Sequence, residues 1–223
     1  MPDASERRQF ARCPVQLPLL YKAGYPAPIK AGVGWTRNLS AGGACLELAE
    51  RLQTETPIRA RLRTDRGAVD VEAEVVWAGE PAPTEGGILH GVAFRQMAPE
   101  HLQALQALLA TEGERRRAGV RLPLELPATC RPKGQAGPPL RERTENLSRG
   151  GLLLRLPQPL PVETVVEVTL HSPHGALTVE GAVVWVDPPE RRTPGQLIRH
   201  GFRFTALGWS TALSLGLVLA ASW

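Results

Sequence analysis

The sequence is poor in cysteine, and its first residues contain no apolar segment. The three cysteines, Cys13, Cys45 and Cys130, are scattered and have no CxxC spacing. This pattern excludes a disulfide framework and a cysteine zinc site, and it predicts reduced, partly buried thiols. Residues 1–8 are mostly polar or charged. A secretory signal peptide is therefore not expected, and we expect the protein in the cytoplasm.

The chain also lacks a strong excess of either charge. The formal net charge is +4, with 12 Lys and Arg against 12 Asp and Glu in residues 1–111 and 14 against 10 in residues 112–223. A general nucleic-acid binder would carry a larger basic excess, so we expect local anion sites and no nucleic-acid partner. His171 and His174 have no third ligand nearby in the sequence, so no metal is expected.

Proline and glycine are frequent, at 21 and 22 of 223 residues, which is typical of short strands joined by tight turns. The apolar fraction of 43% is that of a globular protein. Sequence features recur at an offset of 108 to 110 residues, and a repeat of whole-domain length indicates a tandem duplication. We therefore predict two domains, residues 1–112 and 113–223.

Each copy has the same order of strand-like segments, followed by one helical segment. The clearest strands are predicted at 69–77 and 177–185, and opening strands at 15–21 and 122–126. At Pro99 the apolar spacing becomes helical, with Leu102, Leu105, Leu108 and Leu109 on one face. This order predicts a mainly β fold of two tandem small antiparallel β-barrels, six to seven strands each, each followed by a C-terminal α-helix.

The C-terminal segment from Ala206 to Trp223 aligns with that helix but contains no charged residue. A helix without a polar face needs cover. Burial between the barrels or against a partner protein, contact with a membrane, and an irregular end of the sequence all stay open. The last nineteen residues include two glycines and three serines and are marginal for a membrane span, so a membrane is disfavoured.

The most informative feature is a turn sequence that occurs twice, each time after a pair of arginines. Asn-Leu-Ser-Ala-Gly-Gly at 38–43 returns as Asn-Leu-Ser-Arg-Gly-Gly at 146–151, and Arg12 precedes the first copy as Arg121 precedes the second. Arginine forks grip phosphate and can bind a guanine edge. Asparagine and serine add short-range donors and acceptors, and glycine lets a ligand approach the backbone.

This set contains no histidine and no paired carboxylates, so it holds no general base or nucleophile suited to turnover. The sequence therefore predicts a binding site for a ligand that bears guanine and phosphate. It does not predict an enzyme.

With these two motifs the chain resembles the PilZ family of cyclic di-GMP receptors. That family has an RxxxR motif in an N-terminal loop and a [D/N]xSxxG motif on the barrel. The strands ending in Val-Val-Trp and the later His-Gly-x-x-Phe segments extend the resemblance over nearly the whole chain. It implies phosphate and guanine binding by the arginines, guanine binding by Asn and Ser, and a turn shaped by Gly. The residues implied in ligand binding are Arg7, Arg8, Arg12, Asn38, Ser40, Gly43, Arg116, Arg117, Arg121, Asn146, Ser148 and Gly151.

The resemblance implies a bacterial cyclic di-GMP receptor that changes its interdomain arrangement or its partner contacts when ligand binds. Such receptors act in motility, surface attachment or exopolysaccharide control. The apolar C-terminal helix would serve contact with a downstream protein, and a homodimer stays open. One alternative is a structural interaction module of the same fold with one or both sites degenerate. Another is non-specific nucleic-acid binding by a basic barrel.

Three further features lead to expectations about individual residues. His90 and His200 stand beside glycine at equivalent strand starts, which favours a structural hydrogen bond over catalysis. Trp77 and Trp185 are expected in the barrel core or at its rim. Ala41 of the first turn is Arg149 in the second, which favours the second site as the tighter one.

Overall fold

The structure is a computed structural model that describes residues 12–24, 30–80, 86–95, 97–114, 119–134, 137–191 and 195–221. The chain divides into two compact units, Met1–Val120 and Arg121–Trp223. The boundary expected from the sequence, between residues 112 and 113, stays a prediction.

The first unit is a closed antiparallel barrel followed by one helix. Its strands are β1 (Pro18–Ala23), β2 (Lys30–Ser40), β3 (Gly43–Leu48), β4 (Pro57–Thr64), β5 (Gly67–Ala78) and β6 (Ile88–Phe94), and its helix is α1 (Pro99–Glu114). The strands neighbour one another in the order β1-β2-β3-β6-β5-β4, and β4 pairs with β1 to close the ring.

Alternation along the strands explains why this barrel has an apolar interior. In β4, Ile58, Ala60 and Leu62 are buried, whereas Arg59 and Arg61 between them are exposed. Successive side chains of a strand point to opposite faces of the sheet, so every second residue enters the core. Burying an aliphatic side chain of this kind contributes about 1.5–3 kcal/mol to the free energy of unfolding.

The second unit repeats this arrangement. Its strands are β7 (Leu122–Pro123), β8 (Pro127–Pro132), β9 (Leu140–Ser148), β10 (Gly151–Leu156), β11 (Val165–Ser172), β12 (Gly175–Val186) and β13 (Ile198–Ala206), and its helix is α2 (Trp209–Ala221). The order is β10-β13-β12-β11-β8-β9-β7, and pairing of β10 with β9 closes six strands into a barrel. The predicted fold of two small antiparallel barrels with C-terminal helices is confirmed.

The opening strands differ from the prediction. β1 begins at Pro18, later than the expected start at residue 15, and most of the segment 122–126 is not strand. The strand of the second barrel that corresponds to β1 is β8, because β8 pairs with β9 and β11 as β1 pairs with β2 and β4. The segment 122–126 instead corresponds to residues 13–17, which precede β1. Both segments follow the arginine motif directly.

Each of the two helices buries part of its apolar surface. α1 begins at Pro99, where a missing N–H costs nothing, and it buries Leu105 and Leu108. α2 buries six residues, Ala212, Leu215, Gly216, Val218, Leu219 and Ala220; its burial between the barrels or against a partner protein stays a prediction. Within the described residues, neither helix has the length and apolar character needed to cross a bilayer.

A buried histidine fixes the same loop in each barrel. The Nε2 atoms of His90 and His200 accept hydrogen bonds from the backbone N–H of Leu52 and Leu160, both at 3.0 Å. The Nδ1 atom of His90 lies 3.0 Å from the carbonyl oxygen of Ile88, so Nδ1 carries the proton and the ring is neutral. The predicted structural role of both histidines is confirmed.

Neutral His90 predicts a pH-dependent stability of the first unit. Burial lowers the pKa of His90 below 6.5, the nearby Arg51 charge adds to this, and the Ile88 hydrogen bond opposes it. The unfolded state then binds more protons than the folded state between the folded pKa and 6.5. The free energy of unfolding should therefore fall as pH drops from 7.5 to 5.5, and His90→Gln should show a smaller fall. Urea unfolding at the two pH values tests this; equal pH dependence in both proteins would contradict it.

Candidate ligand-binding sites

Each Asn-Leu-Ser-x-Gly-Gly sequence forms the tight turn that joins two barrel strands. The hydroxyl of Ser40 donates to the carbonyl oxygen of Gly43 at 3.0 Å, and Ser148 donates to Gly151 at 3.1 Å. Both serines are buried. Each serine therefore closes its turn with the same bond, and its predicted contact with guanine stays a prediction.

The second glycine of each turn is required by strand packing. A β-carbon at Gly43 would overlap the backbone carbonyl oxygen of Val92, and one at Gly151 would overlap that of Phe202. Neither backbone atom can move without breaking the ladder between the neighbouring strands. These glycines therefore let β3 approach β6 and β10 approach β13.

The asparagine of each turn sequence carries a buried oxygen without a partner. Among the described residues, the Oδ1 atoms of Asn38 and Asn146 are buried and accept no hydrogen bond. Leaving a buried acceptor unpaired costs about 1–3 kcal/mol. The same unpaired oxygen therefore occurs at the same place in both barrels.

The backbone segment after the arginine motif pairs with the strand that carries the asparagine. In the first unit the N–H and C=O of Cys13 bond to Leu39 at 2.8 and 2.9 Å. In the second unit Leu122 pairs with Leu147 in the same antiparallel way. Arg12 and Arg121, one residue earlier, are therefore held beside the turn, and both are exposed.

The remaining arginines of the motif, Arg7, Arg8, Arg116 and Arg117, lie outside the described residues. Their predicted roles in ligand binding stay predictions. Arg12 and Arg121 are thus the motif arginines that the structure brings to the turn.

A buried threonine ties each arginine segment to the barrel. The Thr36 hydroxyl accepts from the N–H of Leu17 at 2.8 Å and donates to the carbonyl oxygen of Val15 at 2.6 Å. Thr144 accepts from Leu126 at 2.9 Å and donates to Leu124 at 2.5 Å. Each threonine lies two residues before the asparagine, so one strand positions both parts of the site.

Arginine charge reaches the barrel wall beside Asn38. Cys45 pairs with Asn38 across β2 and β3. Burial raises the pKa of the Cys45 thiol, while the charges of Arg12 and Arg37 lower it and that of Glu47 raises it. The Arg12 guanidinium therefore contributes positive potential where Asn38 presents its oxygen.

A cross-strand row connects the asparagine to a tryptophan on the outer wall. In the first unit Asn38 pairs with Cys45, Cys45 with Gly91, and Gly91 with Trp77. Directly paired residues share one face of a sheet, so the four residues form one row on the outward face, in which Cys45 and Gly91 are buried and Trp77 is partly exposed. Gly91 leaves room for the indole, because a β-carbon there would overlap the Trp77 ring.

The second unit has the same row, with Asn146, Leu153, Gly201 and Trp185 paired in turn. Trp77 is 40% exposed and Trp185 41% exposed. Of the two expected positions, core or rim, the core is excluded, because the β-bulge before each tryptophan turns its side chain outward.

Arg149, which distinguishes the second turn, contacts the C-terminal helix. Its guanidinium carbon lies 6.0 Å from the ring centre of Trp209, the first residue of α2. This is a cation–π distance. The prediction that Arg149 tightens the second site stays open, and its side chain also links that turn to α2.

In the part of the chain that the structure describes, no cluster of three or more His, Cys, Asp or Glu side chains could hold a metal ion. The site chemistry is instead that of arginine, asparagine and an exposed aromatic ring. Each of the two small barrels presents this set of side chains.

The PilZ domain family matches the chain twice, over residues 6–111 and 115–209. The protein therefore belongs to the PilZ domain family, with two PilZ domains in tandem. No curated protein matches the sequence.

Solved structures similar to this chain include three with low sequence identity. The Bacillus subtilis inhibitor of motility MotI/DgrA is 10% identical, with 91% of this chain and 95% of that chain covered and a TM-score of 0.37. The PilZ domain of YcgR from Escherichia coli with c-di-GMP is 15% identical, covering 48% and 92%, with a TM-score of 0.41. MrkH from K. pneumonia is 15% identical, covering 90% and 83%, with a TM-score of 0.38.

Sequence reasoning missed the threonines and the outward tryptophans. The threonine signal was present, because Thr-x-Asn-Leu-Ser-x-Gly-Gly occurs at both 36–43 and 144–151. For each tryptophan the available signal was the glycine that pairs with it on the neighbouring strand. That pairing depends on two bulges that a strand pattern does not reveal.

Replacing a threonine tests how the arginine segment is held. Thr144→Val keeps the shape of the side chain but leaves the N–H of Leu126 and the carbonyl of Leu124 without this partner. We expect a loss of about 2 kcal/mol in the free energy of unfolding. Thr178→Val, at an exposed strand position, should change it by less than about 0.5 kcal/mol. Urea unfolding measures both; equal effects would contradict the positioning role.

Proposed function

We propose that the protein is a cyclic di-GMP receptor with one binding region in each barrel. The observation that carries this proposal is the unpartnered buried oxygen of Asn38 and of Asn146. Each lies on the strand that the arginine segment joins. A guanine edge offers N–H donors to such an oxygen, and phosphate accepts from arginine. Family membership supports the same ligand.

The outward row gives this ligand a place on the barrel wall. Neighbouring strands lie about 4.8 Å apart, so three steps from the asparagine to the tryptophan span roughly 14 Å. A ligand with two guanine bases can place one base at the asparagine and extend the rest toward the indole. The rings of Trp77 and Trp185 lie against Gly91 and Gly201, where there is no side chain to displace them.

We propose that ligand binding changes the contacts of the protein with a downstream partner in bacterial signalling. The partner would be reached through α2, and the protein would act in the cytoplasm, without metal, nucleic acid or membrane as a partner. The arginine segment of the second domain follows the first domain directly in the chain. Ligand on that segment would therefore also change the arrangement of the domains. No catalytic step is proposed.

A structural interaction module of the same fold is the second candidate. It is favoured by the turn itself, because Ser40, Gly43, Ser148 and Gly151 all have structural roles within it. Binding of cyclic di-GMP distinguishes the two candidates.

Calorimetric titration with cyclic di-GMP tests the receptor proposal. The wild-type protein should bind, and Arg121→Ala should weaken binding to the second domain about tenfold or more, because a charge-assisted hydrogen bond is lost. Arg131→Ala removes an exposed arginine on β8, away from the row, and should bind like wild type. If titration of the wild type releases or absorbs no heat of binding, the receptor proposal is wrong and the structural interaction module is the remaining candidate.

The tryptophan platform has its own test. Stacking of a base on an aromatic ring contributes about 1–3 kcal/mol, so Trp185→Leu should weaken binding to the second domain about fivefold or more. Val162→Ala changes another exposed apolar residue and serves as the control. Loss of ligand-induced quenching of indole fluorescence should accompany the weaker binding. Unchanged affinity and quenching in Trp185→Leu would exclude the platform.

A further inference from the structure

Two arginines face each other directly on the outer wall of the second barrel. Arg155 on β10 pairs with Arg199 on β13, and their side chains are 54% and 46% exposed. Like charges directly opposite one another on neighbouring strands are destabilising. A pair of this kind therefore needs a compensating group.

Glu145 supplies part of the compensation. Its Oε2 atom accepts from Nε of Arg155 at 2.9 Å, and its Oε1 atom accepts from Nη2 of Arg199 at 2.8 Å. One carboxylate thus orients two guanidinium groups, each of which has five N–H donors. Asp187 accepts from the backbone N–H of Arg199 at 3.2 Å.

The arginine pair lies next to the proposed ligand row. Leu153 and Gly201 belong to that row, and Arg155 and Arg199 stand two residues further along the same strands, on the same outward face. Two residues along a strand correspond to about 6.6 Å, a distance that an arginine side chain spans. Glu145 directly precedes Asn146 in the chain.

The first barrel lacks this arrangement. At the equivalent positions it has Glu47 paired with Leu89, and the charges of the neighbouring ion pair are reversed. Arg37 lies on the asparagine strand and contacts Glu47 at 3.5 Å. Glu47 is buried, and its Oε1 atom also accepts from the N–H of Gly87 at 3.3 Å. A carboxylate held there repels phosphate, whereas a guanidinium attracts it.

We propose that Arg155 and Arg199 form an auxiliary anion clamp that binds a phosphate group of the ligand in the second domain. The clamp makes the second domain the tighter site, which fills before the first as ligand concentration rises. This inference rests on the proposed function, because its ligand is the same phosphodiester. Glu145 holds the two guanidinium groups ready in the absence of phosphate, which lowers the ordering cost of binding.

Arg199→Leu is the direct test, because Leu89 occupies the matching position in the first barrel. Titration of the full chain with cyclic di-GMP should show the tight binding event weakened about tenfold or more and the weak event unchanged. Arg199→Lys keeps the charge and a contact with Glu145 but loses the planar fork, and should be intermediate. Arg131→Leu removes one arginine of the same domain from β8 and should leave both events within about twofold of wild type.

The outcomes separate the two proposals. If wild type binds and both Arg199 variants bind as tightly, the clamp is wrong and the receptor proposal stands. If the weak event changes instead of the tight one, the assigned order of filling is wrong. If wild type does not bind the ligand at all, the receptor proposal fails and the clamp fails with it. Thermal unfolding of each variant confirms that it is folded before titration.

Discussion

The hydrogen bonds of a single buried threonine in each barrel hold the segment after the arginine motif against the strand that carries the asparagine. Thr36 and Thr144 bond through their hydroxyl groups to the segment that follows the arginines. The same strand then continues into the asparagine and the turn. Together with the backbone pairing of Cys13 with Leu39 and of Leu122 with Leu147, this attachment joins Arg12 to Asn38 and Arg121 to Asn146, which are 26 and 25 residues apart in sequence. The threonine hydroxyl has both a donor and an acceptor partner, whereas the Oδ1 atom of the asparagine two residues later has no partner among the described residues. On the proposed function, structural and ligand-binding roles are divided between neighbouring residues of one strand.

The duplication has kept this frame and changed the charges around it. Both domains retain the threonine, the asparagine, the serine–glycine turn, the buried histidine and the outward tryptophan at matching positions. The positions beside the row differ: the first domain has Arg37, Glu47 and Leu89 where the second has Glu145, Arg155 and Arg199. The two copies therefore share one frame and differ in the charges beside the row.

Much of the fold could be predicted from the sequence. Alternation in segments such as 69–77 is a local signal for a strand, and the 108-residue offset is a direct sign of a repeat. The opening strands were misplaced, since Leu122 and Leu124 alternate like a strand although only Leu122–Pro123 forms one. Periodicity cannot show that the backbone groups of Leu124 and Leu126 bond to the Thr144 hydroxyl and not to a neighbouring strand. For Trp77 and Trp185 the strand pattern left core and rim open, because their outward direction results from bulges that the pattern does not reveal. The orphaned oxygens of Asn38 and Asn146 are visible only in three dimensions, since satisfaction of a buried group depends on all its neighbours.

The most direct test of the account is the asparagine oxygen itself. In an isotope-labelled sample titrated with cyclic di-GMP, the side-chain amide resonances of Asn38 and Asn146 should shift, those of Asn146 at lower ligand concentration. The backbone amides of Leu39 and Leu147, which bond to or pair with the arginine segments, should shift with them. Ligand-induced shifts confined to other surfaces, with both asparagines unchanged, would contradict the central claim that these oxygens mark the binding sites.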